Sequence, residues 1–124
     1  MPAPILATAL VYACDLDRLL AFYRDGLGLP VRERADGWAV LGDGGATLAL
    51  HAIPAAIAAT IELATPPVRR DDTPIKLIFT TTDLAATRAR LEAHGAIMDP
   101  PRDPRRCDGV DPEGNVFQIA APAQ

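Results

Sequence analysis

The stretch TALVYACDLDRLLAFYRDGLGLPV, residues 8–31, decides how the chain is read, because KLIFTTTDLAATRARLEAHGAIM, residues 76–98, repeats its plan. Each opens on an apolar run, Thr8 to Ala13 and Lys76 to Thr81, that reads as a β-strand. Each passes through Asp-Leu into an amphipathic helix, a glycine stop and a second short apolar run. Thr8 precedes Asp15 by seven residues, and Lys76 precedes Asp83 by seven. Such a repeat has to be settled before any local assignment. Asp15 and Asp83 are placed to cap their helices, each carboxylate accepting from an otherwise unpaired N–H. Leu16, Leu19, Leu20 and Tyr23 fall on one helical stripe, while Leu84, Arg88 and Leu91 share a face in the second helix. Gly26 and Gly28 end the first helix and Gly95 the second. His94, in the last turn of the second, meets a favourable helix dipole.

Outward from the repeat, LPVRERA, GWAVLGD and ATLALHAI read as three strands, with turns at Asp36-Gly37 and Asp43-Gly44-Gly45. GAIMD, RRCDGV and NVFQIA follow the second helix in the same way, with turns at residues 99–104 and at Asp111-Pro112-Glu113-Gly114. The expected fold class is α+β: two tandem βαβββ modules forming curved mixed sheets around a cleft. Module one covers about residues 4–54, an alanine-rich connector about 55–73 and module two about 74–122, in one domain spanning residues 1–124. One domain is also what the length predicts. The connector reads as part helix or irregular strand, then a polar proline-containing linker.

Composition narrows the function. With 49% hydrophobic and 23% charged residues the chain has the balance of a globular protein. No apolar run is long enough to span a bilayer. A net charge of −4 argues against nucleic acid as partner. The run PPRDPRRCDG, residues 100–109, is interrupted by Asp103 and Asp108 and reads as a solvated loop with local ion pairs. Cys14 and Cys107 belong to no Cys-x-x-Cys pair, and Cys107 reads as a small structural residue. The start lacks a basic residue before its apolar stretch, so a first strand is expected there rather than a signal, and the protein is expected in the cytoplasm.

The paired plan, DLDRLLAFYRDGLGL after the first strand and DPEGNVFQI at the last, resembles the vicinal oxygen chelate superfamily. That group includes glyoxalase I, extradiol dioxygenases, fosfomycin-resistance enzymes and bleomycin-resistance binding proteins. The resemblance implies one glyoxalase/bleomycin-resistance-like domain and a homodimer whose clefts form across the interface. It also implies where metal-using members place their ligands. The two first-strand histidines fall at Thr8 and Lys76, the acid of the last strand at Gln118, and an optional ligand near Ala49. Thr, Lys, Gln and Ala do not make a metal site: a protonated ammonium has no lone pair and repels a dication, and the common transition metals prefer imidazole, thiolate or carboxylate. No metal and no cofactor are expected.

Strand alternation places other side chains beside those four. Thr8, Leu10 and Tyr12 share a face of the first strand. Ala49 and His51 share one later in module one, with Trp38 and Val40 beside them. Lys76 and Ile78 sit with Gln118 in module two. The ligand-binding expectation is therefore Thr8, Leu10, Tyr12, Trp38, Val40, Ala49, His51, Lys76, Ile78 and Gln118. Trp38 reads equally as a core or dimer-interface aromatic and as a ligand platform. His51 reads as a hydrogen-bonded structural histidine or as a general base. Lys76, the single lysine, needs an anion nearby: a ligand group, or a structural acid for which Glu62 and Asp108 are candidates.

This points to a metal-independent protein that sequesters or carries a small organic ligand, with no membrane partner. The alternative is a lyase, isomerase or dioxygenase-type enzyme of the same superfamily. It would use unorthodox metal ligands or acid–base chemistry at Lys76 or His51, the two catalytic candidates.

Overall fold

The computed structural model describes residues 2–123. The element order is β1 (Thr8–Ala13), α1 (Leu16–Ala21), β2 (Val31–Ala35), β3 (Trp38–Leu41), β4 (Thr47–Ala52), α2 (Ala55–Ala58), β5 (Leu77–Thr80), α3 (Leu84–Ala93), β6 (Ile97–Met98), β7 (Arg106–Val110) and β8 (Val116–Ala120). The strands form two sheets in the orders β1-β4-β3-β2 and β5-β8-β7-β6. In each, the first strand pairs parallel with the last and the remaining pairs are antiparallel. The repeat in the sequence is thus a repeat in space, α+β with two mixed sheets.

The helices begin as the aspartates dictate. Asp15 accepts from the Arg18 N–H at 3.1 Å and Asp83 from the Ala86 N–H at 2.9 Å. The first helix departs from a plain amphipathic helix, passing into a π turn over Phe22–Gly26. The wider turn leaves the adjacent rings of Phe22 and Tyr23 both buried, at 1% exposure each. One further boundary differs from expectation: the strand expected at Lys76 to Thr81 is only Leu77–Thr80. The connector, read as part helix or irregular strand, contributes one four-residue helix, Ala55–Ala58, before irregular chain.

One core serves both halves. Leu19, Phe22 and Tyr23 of the first helix and its π turn join Leu48 and Leu50 of β4, Leu91 of α3 and Phe117 and Ile119 of β8. Phe22 packs edge-on to Phe117 at 6.0 Å, and Tyr23 lies 6.0 Å from Phe79. The helix-bearing sides of both sheets therefore turn toward one another.

The DPEGN turn fastens the halves. Asp111 and Glu113 are among the few buried polar residues. Asp111 accepts the N–H groups of Glu113 and Asn115, the Asn115 amide, and the Tyr23 hydroxyl at 2.7 Å. Burial nevertheless raises its carboxyl above the ordinary value, while those bonds pull it back. Glu113 reaches across to module one, accepting from the N–H groups of Cys14 and Asp15 at 2.8 Å each. Arg70, from the connector, donates its Nε–H to the Glu113 carbonyl at 2.9 Å.

Candidate functional site

Away from the core, each sheet presents an open face, and the site residues divide between the two. On the first sheet, register places Tyr12 opposite His51, and His51 opposite Trp38. The Tyr12 and His51 rings are 5.7 Å apart and the Trp38 and His51 rings 5.8 Å. Leu10 and Val40 flank Ala49 in the next row. Tyr12 is 61% exposed and Leu10 44%, so the face is open. Ala49 is fully buried; between two larger neighbours it forms floor rather than contact surface, which corrects its reading as a ligand-facing residue. Thr8 is engaged too, its hydroxyl 2.9 Å from that of Thr47.

His51 departs from the structural-histidine reading. It is exposed, and among the described residues its ring makes no hydrogen bond. Two aromatic neighbours hold it instead, leaving both ring nitrogens free. Trp38 is half-buried on the open face, while Ala39 and Leu41 enter the core.

On the second sheet, Ile78, Gln118 and Asp108 lie in one row of β5, β8 and β7. Lys76, just before β5, places its Nζ 2.9 Å from Asp108 Oδ2. Gln118 donates from Nε2 to Asp108 Oδ1 at 2.8 Å. Asp108 is the acid that Lys76 requires; Glu62 is exposed and takes no part. Burial would raise the Asp108 carboxyl, but the bonds from Lys76 and Gln118 and the lysine charge outweigh it and leave the carboxyl below its ordinary value.

This arrangement answers whether the residues fit the divalent metal that the fold family implies. At the expected positions Thr8 is bonded to Thr47, Lys76 is an ammonium in an ion pair, and Gln118 spends its amide on Asp108. Among the described residues no three His, Cys, Asp or Glu side chains converge to hold a metal ion. The set does not fit, because a dication there would face the ammonium directly.

Among the described residues no hydrogen bond, ion pair or ring contact joins the two open faces. A cleft of about 640 Å³ does lie between the sheets, but its walls are mainly helix-side residues such as Leu27, Leu48, Phe79 and Ile119. Of the expected ligand contacts only Lys76 and Ile78 reach it.

Some features were not anticipated from sequence. Glu33 pairs with Val40 across the hairpin and so shares the open face with the rings; alternation along VRERA, read past the bulge between Val31 and Glu33, would have found it. Cys107 is buried, in keeping with its reading as a small structural residue, but the approach of Arg88 Nη1 to its Sγ at 2.8 Å has no signal in the sequence. The arginine-rich loop is as expected, with Arg106 Nε 3.7 Å from Asp103. No helix among the described residues is long and apolar enough to cross a membrane.

Paired βαβββ modules with open sheet faces define a vicinal oxygen chelate protein. A family model described as a glyoxalase-like domain matches residues 8–120. The chain belongs to that family. Solved structures share the fold along nearly the whole chain. An integron cassette protein from the mobile metagenome of V. cholerae aligns with a TM-score of 0.70 at 19% identity, covering 99% of this chain and 98% of that one. The bleomycin-binding protein of Streptomyces verticillus, solved with copper(II)-bleomycin, gives 0.65 at 21% identity, covering 99% and 100%. Lactoylglutathione lyase from Agrobacterium tumefaciens gives 0.65 at 24% identity, covering 98% and 96%. Comparison with curated proteins finds no match.

Proposed function

We propose that the protein is a metal-independent small-molecule-binding protein of the glyoxalase and bleomycin-resistance type. It holds an organic ligand on its open sheet faces, with a second copy of the chain completing the cleft as a homodimer. It works in the cytoplasm, apart from membrane and nucleic acid. One observation carries this reading: where metal-using relatives would supply ligands, Lys76, Asp108 and Gln118 form a closed, charge-balanced network. The exposed Leu10, Tyr12 and Ile78 support it, since such a mixture of apolar and polar surface suits an organic molecule.

The enzymatic alternative draws on His51, whose unbonded imidazole is available for proton transfer without a metal. Lys76, tied to Asp108, is the weaker candidate for acid–base work.

The test is elemental analysis of protein incubated with zinc, nickel, iron(II) and manganese and then desalted. The expected result is substoichiometric metal in every case. One metal per chain, lost in Gln118→Ala, would overturn the metal-independent reading.

A further inference from the structure

The charges on the two open faces are unequally matched. On the second sheet Lys76 and Asp108 neutralise each other at 2.9 Å, and Arg106 lies beside Asp103 at 3.7 Å. The first sheet carries one carboxylate, Glu33, which forms no ion pair among the described residues. None of the β1, β3 or β4 residues on this face is Lys or Arg. Arg34, the next residue of β2, bonds to Asp17 in the first turn of α1 at 3.0 Å, on the opposite side of the sheet.

The geometry around Glu33 is a two-row platform. Following the sheet order, one row runs Tyr12, His51, Trp38 and Ala35, and the next runs Leu10, Ala49, Val40 and Glu33. With strands about 4.8 Å apart, each row spans about 14 Å, and the rows lie about 7 Å apart. Three rings thus line one side of an apolar floor that ends on a carboxylate. Aromatic faces are electronegative and attract a cation placed over them. A carboxylate at the end of the same floor adds attraction of the same sign. An anionic ligand would meet repulsion with no Lys or Arg on β1, β3 or β4 to offset it; the one unpaired Lys or Arg of the sheet among the described residues is Arg32, in the bulge of β2 at the far end of the floor from Tyr12.

We propose, resting on the ligand-binding reading above, that this face selects an organic cation, a compact ammonium or protonated heteroaromatic group seated on Trp38, His51 and Tyr12 with its charge toward Glu33. The second sheet, its ionic groups paired, supplies neutral polar contacts and no counter-charge.

The experiment compares three probes of matched size by quenching of the single tryptophan: phenyltrimethylammonium, its uncharged isostere tert-butylbenzene, and benzenesulfonate. Work at about pH 8.5 stays above the ordinary imidazole range. The cation is expected to bind about tenfold more tightly than the isostere, with no detectable binding of the anion. Glu33→Gln, a change at an exposed position, should shrink that advantage several-fold and leave tert-butylbenzene unaffected. Equal binding of cation and isostere, or an advantage that survives Glu33→Gln, overturns the cation inference while leaving ligand binding in place. Failure of all three probes to quench overturns both.

Discussion

The β3–β4 turn, residues 42–46, and the β7–β8 turn, residues 111–115, occupy equivalent places in the two modules, yet they do opposite things. The second is a plug. Its two carboxylates collect a phenol, an amide and four backbone N–H groups, two of them at the entrance to the first helix. The first turn offers glycines where the other offers acids. A side chain added at Gly44 or Gly45 would touch nothing within 4 Å. The cleft of about 640 Å³ begins there, between this turn and Thr80, Thr81 and Thr87. Module two satisfies its own helix entrance, with the Thr81 hydroxyl accepting from the Asp83 N–H at 3.3 Å and lying 2.7 Å from that of Thr87. Sequence symmetry therefore fixes strand pairing in both halves, while a few turn residues decide which end is sealed and which stays open.

Removing the plug is the strongest way to break this contrast. Glu113→Ala leaves the N–H groups of Cys14 and Asp15 without their acceptor and is expected to cost about 2–4 kcal/mol in urea unfolding. A loss below about 1 kcal/mol would mean that water replaces the carboxylate and the turn does not seal the junction. Two alanines on one side of β1 sharpen the comparison. Ala13, fully buried next to the plugged junction, should lose about 1–3 kcal/mol on substitution by Val through overpacking. Ala9 borders the cleft, so Ala9→Val should be neutral or stabilising by up to about 1 kcal/mol. Equal losses at both positions would deny that one end is open.

The smallest effect concerns pH. The folded Asp108 carboxyl lies below its ordinary value of 3.8. Its ionised form thus contributes stability above that value, lost as pH falls through the lower folded one. Asp111, raised in the fold, has the opposite sign: its contribution is full below 3.8 and declines as pH rises through its raised value. The stability difference between wild type and Asp108→Asn should therefore be present at neutral pH and shrink below 3.8, read from urea midpoints. A constant difference would show that the network with Lys76 and Gln118 is not the source.

Much of the fold was legible because it rests on local signals: capping aspartates, glycine stops and alternation along short strands. Alternation gave the faces of single strands, so Tyr12, His51 and Trp38 share a row of the first sheet and Gln118 sits with Asp108 on the second, but the single cleft expected to unite them is not formed within one chain. Longer-range features were not legible. Nothing near Glu113 in sequence announces that it serves Cys14, since the contact forms only when the halves pack. The π turn has no marker beyond two adjacent aromatic residues, and the burial of Ala49 depends on the size of its cross-strand neighbours. For Lys76, sequence posed the need for an acid and offered two; only strand register distinguishes Asp108 from Glu62.

The Glu113 clamp also sets an order of events during synthesis. The first strand–helix junction emerges from the ribosome long before the acid that completes it, and β1 must await β4 for its parallel partner. Module one therefore lacks its final backbone acceptor, and has one side of its core uncovered, until residue 113 has been made. Contacts this distant along the chain slow folding and leave nascent surface open to chaperones or to mispairing. In this protein a stop codon just before the DPEGN turn would damage the beginning of the chain as much as its end.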